Sequence, residues 1–358
     1  MKKQGPNALT IAFMCVGTVM GAGFASGREI WQFFGVFGDK AWVGVLVVGL
    51  LFIVTGIMTC LITDRIKSGD LGRIIVPGTN GLAIGLMGHF MGFVLFTVLI
   101  AMSAAGGSLF NQQFGLPKVL GGGIIIFFVT LTVIEGFGRV AGVFRMIMPL
   151  LVTIILTVCF GVLVADLSPV GIETEAKPSP LAPHWLLSAV LYLSYNILAI
   201  IPIVATASLH ARSRAHAMGG AILGGLFLCL LAFVLVCVMR TDPGMSQRMD
   251  MPMVEFARRL SPWVNVIYVG VMLFAIYSSA AGNYYNFTLR LKEGPGKKKK
   301  IILIACAGFL LGLMGFKNVV AYMLPLEGFA GIVIILLLTI NFIQVMKSKT
   351  KKGTVTNV

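Results

Sequence analysis

Residues 17–27 read Gly-Thr-Val-Met-Gly-Ala-Gly-Phe-Ala-Ser-Gly, in the middle of an apolar stretch that runs from residue 9 to residue 37. Four glycines in eleven residues weaken a helix, because glycine lowers helix stability by up to ~1 kcal/mol relative to alanine. A break in a membrane helix exposes backbone N–H and C=O groups that lipid cannot satisfy. The stretch therefore predicts a helix that is interrupted around Gly21 to Gly23. Close packing of a second helix on the glycines is the alternative.

The composition around this stretch is that of an integral membrane protein. Of the 358 residues, 58% are hydrophobic and only 11% are charged, whereas a soluble domain carries about 25% charged residues. A membrane-spanning helix needs about 20 apolar residues, and ten apolar runs approach or exceed that length. The predicted spans are residues 9–37, 42–63, 81–110, 119–137, 146–165, 185–209, 217–239, 263–289, 301–316 and 319–345. They predict an all-α membrane protein without a soluble domain of any size.

The positive charge of the chain follows a membrane topology. The net charge is +15, which in a soluble protein would suggest nucleic acid. Basic residues of membrane proteins instead collect in cytoplasmic loops. With the N-terminus in the cytoplasm, 19 of the 28 Lys and Arg residues fall on the cytoplasmic side and 8 on the outer side, four of them in the dissenting loop 240–262. We expect both termini in the cytoplasm and no nucleic-acid partner.

Two halves of the chain match at a constant offset of 176 residues. Ser-Ala-Ala-Gly at 103–106 recurs at 279–282, and Met-Pro-Leu at 148–150 corresponds to Leu-Pro-Leu at 324–326. Each repeat contains five spans, which is an odd number. The second copy must therefore cross the membrane in the opposite orientation to the first, as in many secondary transporters. Duplication that serves only packing is the alternative. The predicted units are a first repeat at 1–165, an outer connecting loop at 166–184, a second repeat at 185–345 and a basic cytoplasmic tail at 346–358.

The same offset directs attention to the sixth span. Ser194, Tyr195 and Asn196 lie opposite the glycine stretch, and Pro202 follows them. Proline frees the carbonyl four residues earlier, that of Leu198. Interruptions at corresponding positions of two halves point to a transporter binding site. We therefore predict that the sixth span is also non-helical, around residues 194–197.

The eighth span carries a candidate ion site. Ala275, Ser278 and Ser279 are spaced i, i+3 and i+4, which places them on one face of a helix. One carbonyl and two hydroxyls suit a hard cation, which prefers oxygen ligands. The alternative is that both serines bond back to the preceding turn of their own helix.

The sequence resembles known membrane proteins at these positions. Residues 16–23 resemble the first helix of LeuT-fold sodium symporters, with the same G-x-x-x-G-x-G spacing, and residues 277–279 resemble the paired hydroxyls of their eighth helix. Residues 21–30 resemble the YkvI-like bacterial membrane proteins of the amino acid–polyamine–organocation superfamily. The resemblance implies ten helices in a 5+5 inverted repeat, with broken helices 1 and 6, in a bacterial cell membrane.

The resemblance also implies ligands. A sodium ion would lie between the carbonyls of the first span and the eighth-span groups. Its predicted ligands are Gly17, Met20, Ala275, Ser278 and Ser279. The amides of Ala22 and Gly23 would meet a solute carboxylate. The predicted solute-binding set is Gly21, Ala22, Gly23, Ser103, Ser194, Tyr195 and Asn196. Phe24 stands where some of these symporters have an asparagine, which disfavours a second sodium site.

Ionisable residues inside apolar spans add a predicted gate. Such residues are costly in a membrane and usually functional. Arg28 and Glu29 lie in the outer half of the first span, and Glu327 follows Pro325 in the tenth. An ion pair between Arg28 and Glu327 would close the outer vestibule. Local contact of Arg28 or Glu29 with headgroups or loops is the alternative.

These features favour a cation-coupled transporter that moves a small amino-acid-like solute by alternating access. A sensor or receptor subunit on the same fold, or a carrier coupled to protons through Glu327 or Glu29, are the alternatives. No span carries the paired carboxylates, Cys/His cluster or activated nucleophile that would favour an enzyme. The expected partners are lipid and a small solute, and sodium is the only expected cofactor-like group. Substrate-driven uptake separates a carrier from a sensor.

Overall fold

The computed structural model of the protein describes residues 5–78, 81–135, 141–165, 167, 169 and 175–352. The first predicted span is divided into α1 (Ala8–Val19), α2 (Ala22–Ala25), α3 (Arg28–Phe33) and a 3-10 turn at Gly35–Phe37. The remaining helices are α4 (Lys40–Ile66), α5 (Leu71–Ile75), α6 (Gly81–Phe114), α7 (Lys118–Glu135), α8 (Ala141–Ala165), α9 (Trp185–His210), α10 (Arg214–Thr241), α11 (Pro243–Arg248), α12 (Pro252–Leu260), α13 (Pro262–Thr288), α14 (Lys297–Gly312), α15 (Phe316–Asn318) and α16 (Leu324–Lys352). A π-helical turn, Val319–Met323, joins α15 to α16.

The predicted membrane spans correspond to these helices. Seven described helices are long and apolar enough to cross a membrane, and the apolar helices Ala8–Val19 and Pro149–Ala165 are shorter. The sequence analysis missed the short helices α5, α11 and α12, which lie in the predicted loops. The tail predicted from residue 346 begins inside α16, which continues to Lys352.

The predicted break in the first span is confirmed. Helix α1 ends at Val19, and Gly21 is extended before α2 starts at Ala22. The Gly21 amide, which in a continuous helix would bond to the Gly17 carbonyl, donates to the Val19 carbonyl at 2.8 Å. The break therefore frees the Gly17 carbonyl. A second turn separates α2 from α3 at Gly27, whose φ of 78° lies in the left-handed region that favours glycine.

The predicted break in the sixth span is wrong, because α9 is continuous from Trp185 to His210. The polar groups that suggested an interruption bond within the helix: Ser194 Oγ donates to the Val190 carbonyl at 2.7 Å and Asn196 Nδ2 to the Tyr192 carbonyl at 2.9 Å. Back-bonding of this kind satisfies a polar side chain without opening the helix. Pro202 removes only one backbone bond, and the helix accommodates it.

Helix packing connects the two predicted halves. Helix α1 packs against α10 and α9, α4 packs against α9 and α10, and α9 also packs against α16. Helices α6, α7, α13 and α14 form a second packed group beside them. The α1–α10 and α4–α9 contacts each join one predicted half to the other. The division into two inverted halves with the proposed boundaries stays a prediction.

Candidate functional site

A cavity of about 650 Å³ lies at the break in the first span, between α6, α9, α13 and α16. Its α6 wall is apolar and consists of Met91, Val94, Leu95, Val98, Ala101 and Met102. Its polar and charged lining residues are Thr18, Glu29, Tyr195, Asn196, Ser279, Asn283, Asn286, Arg290 and Glu327. The lining continues along α13 to the exposed residues Leu289 and Arg290. The cavity therefore opens on the face of the protein that carries Arg290.

Part of the predicted solute-binding set lies on this cavity. Gly21, Tyr195 and Asn196 are on its wall, where a bound solute would contact them. Ala22 and Gly23 are buried in the first turn of α2, directly after the break. Solute binding by these five residues stays a prediction.

Ser103 and Ser194 lie away from the cavity, which corrects their predicted role. Ser103 is buried and faces α14, since a Cβ added at Gly312 would lie 2.9 Å from its Cβ and Oγ. Ser194 is buried and faces α16, where a Cβ at Gly331 would overlap its carbonyl oxygen. Successive helix positions point about 100° apart. The cavity therefore receives Met102 and Tyr195 rather than the adjacent serines.

Glu29 belongs to α3, and its carboxylate lies at the start of α2, a contact that was not predicted from the sequence. Tyr195 donates a hydrogen bond of 2.7 Å from its hydroxyl to Glu29 Oε2. The other carboxylate oxygen lies against the backbone of Gly23, where an added Cβ would overlap it. The protein therefore places its own carboxylate beside the residues whose amides the resemblance assigned to a solute carboxylate. The sequence feature that could have indicated this contact is the glycine at position 23, because its lack of a side chain leaves room for the Glu29 carboxylate.

Glu327 is the second carboxylate of the cavity. It lies in the first turn of α16 and is only 3% exposed. Its Oε1 is buried and has no hydrogen-bond partner among the residues that the structure describes, although the Thr97 hydroxyl lies near the carboxyl group. A buried polar atom without a partner is rare in folded proteins and calls for an explanation.

Arg28 does not pair with Glu327 in this structure, which corrects the predicted gate. The Arg28 side chain is fully buried, and its Nη1 donates to the carbonyls of Ser246, Gln247 and Met249 at 3.1–3.2 Å. No ion pair joins it to Glu327 within the described residues. Arg28 and Glu29 are neighbours on α3, so they point about 100° apart. Arg28 reaches the segment around α11, whereas Glu29 reaches the cavity.

The segment 242–260, which we name the cap, closes the molecule on the side opposite Arg290. The Trp31 indole donates to Gln247 Oε1 at 2.7 Å, and the Met253 amide donates to the Ser26 carbonyl at 3.0 Å. Gln112 exchanges two hydrogen bonds with the backbone of Met251. Of the four basic residues in loop 240–262, two pair with acidic residues of the cap, and Arg240 pairs with Asp39 outside it. Arg258 pairs with Glu255, and Arg259 pairs with Asp242.

The predicted sodium ligands are only partly arranged for an ion. The break frees the Gly17 carbonyl, and Ser279 lies on the cavity wall. Ser278 Oγ donates to the Ala275 carbonyl at 3.1 Å, so two predicted ligands bond to each other. The described helices that pack extensively on α13 are α6, α7, α8, α12 and α2, and α1 is not among them. The sodium site stays a prediction.

Comparison with known proteins agrees with this architecture. The solved structure "Inward facing conformation of Mhp1" matches with a TM-score of 0.63 at 13% identity, covering 94% of this chain and 78% of that chain. The chain has the LeuT fold. A mutant of the manganese transporter of Eremococcus coleocola matches with a TM-score of 0.53 at 13% identity, covering 97% and 87% of the two chains.

Two sequence relatives are both described as uncharacterized proteins. The chain is 28% identical over 340 residues to the uncharacterized membrane protein YkvI of Bacillus subtilis (strain 168), covering 94% of this chain and 96% of that protein. It is 21% identical over 322 residues to the uncharacterized protein YyaD of the same strain, covering 88% and 91%. No family model matches. The resemblance to YkvI-like membrane proteins is confirmed.

Proposed function

We propose that the protein is a secondary transporter that moves a small organic solute across the membrane by alternating access. The observation that carries the proposal is the cavity at the break in the first span. It opens on the Arg290 face and is separated from the opposite face by α3 and the cap. A carrier needs a site that reaches one face while the other is closed.

The direction of this opening follows from charge. Arg290 and the lysines of 297–300 lie on the open face, and the basic loops of membrane proteins face the cytoplasm. We therefore propose that both termini are cytoplasmic and that the structure is open to the cytoplasm. Separation of α3 from the cap would open the outer side. The likeness to the LeuT fold and to a solved manganese transporter supports a carrier.

We propose sodium as the coupling ion, at Gly17, Met20, Ala275, Ser278 and Ser279. The support is the freed Gly17 carbonyl beside the cavity and the i, i+3, i+4 spacing on α13. The rival is proton coupling through the cavity carboxylates Glu29 and Glu327. A sodium gradient without a pH gradient, and the reverse, separate the two mechanisms in proteoliposomes.

Two measurements test the transporter proposal. A thermal-shift screen of amino acids and amines, with and without sodium, first identifies a compound that stabilises the purified protein. Proteoliposomes then report accumulation of that compound. Accumulation against its gradient supports a carrier. Stabilisation without accumulation would identify a sensor on the same fold.

A further inference from the structure

We infer that the solute is an organic cation: it carries an ammonium group, which binds between Glu29 and Glu327, and has no carboxylate beside that group. The inference rests on the proposed transport function, and it deepens that function by naming the chemical class of the transported solute. The class differs from the amino-acid-like solute predicted from sequence.

The charge of the cavity is the first observation. Three charged side chains lie on its described wall: Glu29, Glu327 and Arg290. Arg290 is exposed at the open end, and its Nη1 donates to the Gly88 carbonyl. The closed end therefore contains two carboxylates and no cationic side chain among the described lining residues. An ammonium group is the natural complement of that end.

The seat beside α2 is the second observation. Amides at a helix start attract anions, and this is where a solute carboxylate was expected. The Glu29 carboxylate lies there instead, held by Tyr195 and fitted against the bare backbone of Gly23. A solute carboxylate would have to displace Glu29 or approach a like charge. This geometry disfavours amino acids and carboxylic acids.

The unpartnered oxygen of Glu327 is the third observation. Glu327 Oε1 is buried, makes no hydrogen bond within the described residues and belongs to a residue on the cavity wall. The Thr97 hydroxyl lies near this carboxyl group, but it donates to the Val94 carbonyl. An ammonium group has three donors on one nitrogen. It can bond to Glu327 and so supply the missing partner, and the Glu29 carboxylate is near enough to interact electrostatically with Glu327.

The apolar α6 wall defines the rest of the solute. Two methionines, two valines, a leucine and an alanine line that side of the cavity, which suits a hydrocarbon body. A bare metal ion fits less well, because Ca²⁺ takes six to eight oxygen ligands and Mg²⁺ demands near-ideal octahedral geometry. The described residues contain no group of three His, Cys, Asp or Glu side chains that could hold a metal. A primary amine with an apolar body satisfies both ends of the cavity.

Matched probes test the inference on the purified full-length protein in detergent. Phenylethylamine, phenylalanine and phenylpropionate share one apolar body and differ in charge, and isoamylamine, leucine and isocaproate repeat the comparison with an aliphatic body. Calorimetric titration of all six, with MnCl₂ as a separate probe, measures their affinities. We expect at least one amine to bind about tenfold or more tightly than its amino acid and its acid, a difference that is well resolved by titration.

Two variants locate the binding. Glu327→Gln keeps the shape of the side chain and removes its charge, and we expect it to weaken amine binding by about tenfold or more. Glu293→Gln, at an exposed position outside the cavity, serves as the matched control and should bind like the wild type. Melting temperatures of both variants verify that they are folded.

Each other outcome overturns the inference. Tighter binding of an amino acid or acid than of its amine would do so, as would binding of Mn²⁺ with no binding of either amine. Absence of binding by all probes, or equal amine affinity in Glu327→Gln and the wild type, would also contradict it. Transport is measured separately, so an amine that binds without accumulating would refute the carrier while leaving the solute class in place.

Discussion

The Tyr195 hydroxyl donates a 2.7 Å hydrogen bond to Glu29 Oε2, and this bond ties α9 to α3 at the closed end of the cavity. The two residues are 166 positions apart in the chain and belong to different predicted halves. Glu29 is thereby held against Gly23 on one side and Tyr195 on the other. The bond connects the broken span to the continuous sixth span, so movement of either helix would alter the solute site.

A double-mutant cycle between these residues should show coupling. Tyr195→Phe and Glu29→Gln each remove one partner, and we expect a coupling free energy of unfolding of about 0.6 kcal/mol, the mean found for hydrogen bonds between membrane helices, and no more than about 1.7 kcal/mol, their maximum. Chemical unfolding in detergent measures it. Tyr322→Phe, at a position that is 45% exposed, is the control and should not couple with Glu29→Gln. Additive effects of the Tyr195 and Glu29 changes would show that the bond is absent in solution.

Gly23→Ala should weaken amine binding, whereas Gly270→Ala, on α13 and outside the cavity lining, should not. A methyl group at Gly23 overlaps the Glu29 carboxylate, and one at Gly270 meets nothing within 4 Å. Glu29 is flexible and can move, so we expect a loss of about tenfold or more in phenylethylamine affinity with little change in melting temperature. Titration of both variants measures the difference. Equal affinities would mean that the position of the Glu29 carboxylate does not matter.

Arg28→Lys should loosen the cap. Arg28 Nη1 reaches three cap carbonyls and its Nη2 donates to Gln32 Oε1. A lysine ammonium has fewer donors and no planar fork. We expect faster amide hydrogen exchange in residues 242–260, measured by mass spectrometry. Arg248→Lys, at an exposed position of the same segment, is the matched control. Unchanged exchange in the Arg28 variant would show that other contacts hold the cap closed.

Ser278→Ala combined with Ser279→Ala should abolish the sodium dependence of solute binding. Both hydroxyls are predicted ligands, and their removal leaves only the carbonyls of Gly17, Met20 and Ala275, which are too few oxygens for the ion. Titration of the stabilising compound in sodium and in choline buffers measures the effect, and the melting temperature verifies the fold. Full sodium dependence in the double variant would show that the proposed sodium site is wrong. Equal wild-type affinity in both buffers would remove sodium coupling altogether.

The architecture was predictable because membrane spans are long apolar runs, and the first break was predictable because glycine acts locally. The directions in which side chains point were harder to predict from the sequence. Ser103 and Ser194 were chosen for their polarity, but a rotation of about 100° per residue places each beside the cavity rather than in it. The prediction of a break in the sixth span was wrong for a related reason, since the polar groups of Ser194 and Asn196 are hydrogen-bonded within α9.

The role of Glu29 depends on contacts between distant parts of the chain. The sequence identified an ionisable group inside the first span, but it did not reveal that Tyr195 and the bare backbone of Gly23 form a seat for its carboxylate. The cap could not be predicted from the sequence for the same reason. Its short helices lie in a charged loop, and the partners of Arg28 within the cap are backbone carbonyls, which no side-chain pattern encodes.

Solute counterflow in proteoliposomes tests the central claim, that the cavity is the pathway of a carrier. Liposomes are loaded with the amine that binds most tightly in detergent and diluted into trace labelled amine, with protein-free liposomes to correct for leakage. The account predicts that wild-type protein accumulates label transiently above equilibrium and that Glu327→Gln, reconstituted at the same density, does not. Wild-type protein that binds the amine and gives no more label than protein-free liposomes would contradict it.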